Sequence, residues 1–200
     1  MNRIDTAVSW LVLAPIAPIA LLLAGWWGAL GLLGDHPAIP WAAMTGLLAG
    51  VVLDATALRR WAGSLFSLPM PSLVAIALFY SIGLYGSFMG FVVVNAFVGI
   101  VGGYVIGRRA VVLAETPGES RRDVGSFARL ATVILFALCC VSAWLALREP
   151  TLPQQLRGMF ALRFTPTVEA VRLLVIGGGI LLVAAEYPAT FVAARWGARR

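Results

Sequence analysis

Polar positions are scarce along this chain and gather into short clusters, and the apolar runs between them are each about the length of a membrane span. These runs predict helices at about 8–34, 38–58, 69–86, 90–107, 124–147 and 170–194. The stretch SIGLYGSFMGFVVVN is apolar almost throughout, yet one helix over 69–107 would be about 58 Å long, nearly twice the hydrocarbon core. A tight turn between Gly86 and Gly90 therefore divides it. The pattern predicts an all-α integral membrane protein, a single transmembrane domain over 1–200 built as a bundle of about six transmembrane helices.

Composition agrees. Of the 200 residues 60% are hydrophobic and 12% charged, and the mean hydropathy is +0.91, whereas soluble domains are roughly 45–50% apolar and 25% charged. The net charge of +6 would suit a nucleic-acid binder, but the arginines fall in the gaps between apolar runs and form no basic face with interleaved aromatics. Nucleic acid is therefore excluded as a partner. The arginines instead orient the helices. Eleven of the fifteen, from Arg3 and the Arg59–Arg60 pair to Arg199 and Arg200, lie in segments on the N-terminal side of the membrane; Arg148, Arg157, Arg163 and Arg172 lie opposite. The positive-inside rule then places both N- and C-terminus in the cytoplasm of a multi-pass protein of the cell inner (plasma) membrane. Trp61 and Trp196, beside Arg60 and Arg195, sit where interfacial anchors belong. The first apolar run lasts about 27 residues, longer than the 7–15 of a cleavable leader, and is expected to be retained.

Two loops carry local signals. In the inner loop TPGE reads as a capping box, Thr116 capping, Pro117 opening the helix and Glu119 reaching back. In the outer loop TLPQ can cap a short interfacial helix with Leu152, Leu156, Met159 and Phe160 on one side.

In NAFVGIVGGYVIGRR a small or polar residue recurs at every fourth position: Asn95, Gly99, Gly103 and Gly107. At 3.6 residues per turn these share one helix face, and in lipid such a stripe lets backbones approach closely. Gly46 and Gly50 repeat the spacing in the helix over 38–58, which makes the second and fourth helices candidate partners. Asn95 lies about 20 Å of rise from Arg108, in the outer half of the bilayer.

A carboxylate inside a span costs about 2.5–3.5 kcal/mol on insertion scales, so it is expected to face a bundle interior, a cavity or a partner. Asp54 is close to the cytoplasmic end of its helix; Glu186 is about 13.5 Å of rise from Arg195, and Pro188 follows it. LDATALRRW and AEYPATFVAARW share an acid, a threonine and a closing Arg-Trp. Glu186 reads either as a proton, cation or substrate contact or as half of an ion pair, with Arg129 at the foot of the fifth helix the candidate partner. Asp54, Asn95, Tyr80 and Tyr85 complete the candidate substrate or ion contacts, the tyrosines alternatively being interfacial anchors. Pro15 and Pro18, and Gly177 to Gly179, mark places where discontinuous helices could open.

No nucleotide-binding motif, hydrolase signature or metal-ligand spacing occurs, so no cofactor and no metal is expected. Cys139 and Cys140 are adjacent in an apolar run and read as packing residues. Two functions remain. One is a small solute or ion transporter, or its substrate-binding membrane subunit. The other is a non-catalytic scaffold or accessory subunit binding partner helices, from other membrane subunits or further copies of itself. A lipid-modifying enzyme ranks last, because only the loop ETPGESRRD is polar enough to supply one.

Overall fold

The structure, a computed structural model, describes residues 3–56, 64–87, 92–159, 161 and 163–199, without the side chains of residues 84, 86, 87 and 159. Its helices are α1 (Arg3–Leu13), α2 (Ile16–Leu33), α3 (Ile39–Thr56), α4 (Met70–Ser87), α5 (Val93–Val112), α6 (Pro117–Arg148), α7 (Leu152–Met159) and α8 (Val168–Ala198). The expected turn residue Gly90, the Arg59–Trp61 anchor, Phe160 and Arg200 lie outside the described residues. Among the described residues four stretches are long and apolar enough to cross a membrane: Arg3–Leu33, Ile39–Thr56, Pro117–Arg148 and Val168–Ala198. Large apolar side chains face outward on them, among them Leu32 (87% exposed), Leu173 (75%) and Trp41 (73%). In water such surface would drive association; in lipid it is the expected exterior. The described helices thus form an all-α protein of the membrane class.

The chain divides into two compact units, Met1–Leu68 and Pro69–Arg200. In the first, the helix expected over 8–34 begins earlier, at Arg3, and is interrupted at Ala14 and Pro15. Pro15 and Pro18 have no N–H to offer the carbonyls one turn back, while Asp5 in the first turn suits a helix N-terminus. The chain does not open there: Ala14 N–H still reaches the Trp10 carbonyl and Ile19 N–H the Pro15 carbonyl, both at 3.0 Å. α2 packs along α3. A Cβ on Gly46 would overlap the Leu21 carbonyl, and one on Gly50 would meet the backbone of Ala17 and Pro18.

In the second unit α5 and α8 form the central seam, α6 packs on both, and α4 packs on α5 and α6. Gly99 faces Glu186 and Thr190, Gly103 faces Thr190, and Gly107 faces Ala194; numbers rise together, so the two helices run parallel. A Cβ at Gly103 or Gly107 would overlap the backbone carbonyl of Thr190 or Ala194. Gly197 comes equally close to the Tyr104 carbonyl, beside Tyr104 and Trp196 rings whose centroids are 5.2 Å apart. The two glycine stripes are therefore filled by α2 and α8, and the shared spacing that suggested pairing the second helix with the fourth reflects two separate seams. Nor is α8 discontinuous. It runs through Gly177–Gly179 and Pro188 as one helix of 31 residues, since in lipid the remaining backbone groups have no better partner than their own helix.

At the C-terminal end of α5 the chain turns through Ala114, whose φ of 52° lies in the left-handed region. Glu115 N–H reaches back to the Ala110 carbonyl at 2.9 Å, closing the helix end. Arg109 pairs with Glu115 and, at 3.2 Å, with Asp123 of α6. The capping box forms: Glu119 N–H donates to Thr116 Oγ1 at 3.4 Å, and Thr116 N–H and hydroxyl donate to Glu119 Oε2 at 3.1 and 2.7 Å. The Thr116 hydroxyl, then its N–H, hold the Glu119 carboxyl below its ordinary range. A depressed carboxyl contributes stability above its unfolded pKa that is lost as pH falls through the folded one. Thr116→Ala is accordingly expected to lower the melting temperature by about 1–2 °C at pH 7, a deficit that narrows at pH 3; an equal deficit at both pH values would count against the carboxylate's part in the cap.

Candidate functional site

Glu186 is 2% exposed and Thr190, one turn further along α8, is fully buried. Pro188 lies between them inside the helix. The Thr190 hydroxyl donates to the Glu186 backbone carbonyl at 2.9 Å, which settles that oxygen. The glutamate side chain leaves α8 toward α5, into the space where Gly99 has no Cβ. There it borders a small cavity of about 10 Å³, room for roughly one water molecule.

Asn95 of α5 and Ser81 of α4, each 4% exposed, border the same cavity. Phe127 and Leu135 lead the wall from α6, which is apolar along its length, and Ala77 and Val98 complete the apolar surround. Both polar atoms of the Asn95 amide, Nδ2 and Oδ1, are buried without a hydrogen-bond partner among the described residues. Among those residues no hydrogen bond or ion pair reaches the Glu186 carboxylate either. Buried amides and carboxylates are ordinarily satisfied, because an unpaired one forfeits its hydration without recompense. Glu186 and Asn95 are two such groups on one cavity.

The expected ion pair with Arg129 does not form. Arg129 is exposed and turns back on its own helix, Nε donating to the Gly125 carbonyl at 3.2 Å and a terminal nitrogen to Ser126 Oγ at 3.4 Å. Of the candidate contacts, the cavity brings together Glu186 and Asn95. Asp54 is partly exposed on α3 in the first unit, two residues before that helix ends. Tyr80 stacks edge-on against Phe79, with centroids 5.5 Å apart, and Tyr85 accepts from the Ser142 hydroxyl at 3.3 Å; neither borders the cavity.

Sequence reasoning passed over Ser81, whose position in a long apolar run carried no distinguishing signal. It also passed over Asp5 and Ser9, fully buried one turn apart on α1. Their spacing of four on an otherwise apolar face was a readable sign. Among the described residues no group of three His, Cys, Asp or Glu side chains could hold a metal ion, and both cysteines are free thiols.

Compared with family models, curated proteins and solved structures, the chain matches none. Its class rests on its own apolar helices, and its site on the geometry of α4, α5, α6 and α8.

Proposed function

We propose that the chain crosses the inner membrane six times with both termini in the cytoplasm, and that it is a small solute or ion transporter, or the substrate-binding membrane subunit of one. Glu186 and Asn95 are the contact residues in this reading. The observation that carries it is the cavity on which a carboxylate and an amide, both buried, meet no hydrogen-bond partner among the described residues. A scaffold has no use for an unpaired intramembrane carboxylate, which costs about 2.5–3.5 kcal/mol to insert; a transporter needs a group that exchanges partners. The arginine asymmetry supports the orientation.

The test is flux through the full chain reconstituted in liposomes, following ²²Na⁺ entry and internal pH together. Wild type is expected to exceed empty vesicles in at least one of the two. Glu186→Gln, checked for unchanged helicity and a monodisperse elution, is expected to reduce that flux at least tenfold. Vesicles no more permeable than empty ones would discard the transport reading and favour a non-catalytic scaffold that binds partner helices.

A further inference from the structure

The size and chemistry of the cavity restrict its guest further than transport alone requires. Pockets for organic solutes enclose about 300–1,000 Å³, whereas this one has about 10 Å³, space on the order of a single water. A metabolite does not enter it. The donors it offers are oxygen: the Glu186 carboxylate, the Asn95 carbonyl and the Ser81 hydroxyl. Oxygen ligands suit hard cations, not the soft or borderline metals that take sulfur and imidazole.

Charge then selects the valence. Among the described residues bordering the cavity, Glu186 is the one that carries charge; α4 contributes Ala77 and Ser81, α5 contributes Asn95, Val98 and Gly99, and α6 contributes apolar side chains alone. One carboxylate in apolar surroundings is balanced by one positive charge. A divalent ion would leave a net charge buried, and Mg²⁺ keeps several of its waters, which this volume does not admit. We propose that Glu186, Asn95 and Ser81, in the space left by Gly99, form a binding site for one dehydrated monovalent cation of about the size of Na⁺. The inference rests on the reading of the cavity as a contact site, and it is tested by equilibrium binding, so that it stands or falls separately from flux.

The experiment compares thermal unfolding of the purified full chain in lipid nanodiscs in Na⁺ and in choline, at constant ionic strength and pH 8, with ²²Na⁺ binding measured directly on the same samples. A guest that binds the folded state alone raises the melting temperature with its concentration. Na⁺ at about one hundred times its dissociation constant is expected to raise it by about 5 °C or more. Asn95→Ala and, as a second variant with less effect on folding, Ser81→Ala are each expected to weaken ²²Na⁺ binding about tenfold or more. Identical unfolding in Na⁺ and choline together with no bound ²²Na⁺ would overturn the proposal, leaving a water as the occupant. So would binding that survives unchanged in both variants, since the cation would then sit elsewhere. Na⁺ binding without flux would leave the site standing and sink transport; flux of protons without Na⁺ binding would do the reverse.

Discussion

Gly107→Ala is expected to destabilise the protein by about 1–3 kcal/mol, the cost of forcing extra volume into a packed interface. The new methyl would overlap the Ala194 backbone carbonyl, and a backbone cannot step aside as the end of a side chain can. The intrinsic preference of helices for alanine over glycine, about 1 kcal/mol at an exposed position, works in the other direction and is the reason a control is needed. Gly178→Ala supplies it. Gly178 lies on α8 with nothing within 4 Å of where a Cβ would stand, so alanine there is expected to leave stability unchanged or raise it by up to about 1 kcal/mol. Unfolding of both variants in detergent, on one denaturant series, would check the pair. Equal stability of Gly107→Ala and wild type would mean that α5 and α8 do not approach as closely as the structure places them.

Gly99→Ala separates function from folding. Its methyl would land on the Glu186 carboxylate, which is the far end of a flexible side chain and can rotate away. The melting temperature in choline is therefore expected to stay within about 3 °C of wild type, roughly 1 kcal/mol. The cavity it shares with Asn95, however, loses the space that the carboxylate occupies beside Gly99. The Na⁺-dependent rise in melting temperature is expected to vanish, and flux to fall to about the level of Glu186→Gln. Full retention of both would show that Gly99 serves packing alone. The contrast between two glycines of one stripe is informative because their neighbours differ: Gly107 meets backbone, Gly99 meets a carboxylate.

Much of this was readable in the chain before any folding was considered. The capping box Thr116–Glu119 formed as TPGE implied, because both of its bonds lie within four residues. The short helix after Thr151 formed as well, but the Thr151 hydroxyl takes the Gln155 side-chain amide and not a backbone N–H. Glu186 and Asn95 stood out through cost, being polar groups where lipid tolerates few. Ser81 did not stand out, because a single hydroxyl in a membrane helix is cheap and common. The Arg129 partnership was misjudged on proximity along the axis: Arg129 lies in the N-terminal half of α6, and its side chain finds Gly125 and Ser126 within its own helix. The glycine spacing likewise left the partners open: Gly46 and Gly50 face α2, and Gly103 and Gly107 face α8. A stripe of glycines announces that something packs against it and does not say what.

The sequence by itself determined the membrane class and the approximate helical segments. In lipid every helix must close its own backbone hydrogen bonds, so a local run of apolar residues is enough to specify the element. Only the tertiary structure decided that α5 lies parallel to α8, that α2 fills the stripe of α3, and that Glu186 borders one cavity with Asn95. Those facts depend on the rotation and choice of partner of each helix, set by close backbone approach between residues far apart in the chain, such as Gly103 and Thr190, and no periodicity within one helix encodes them.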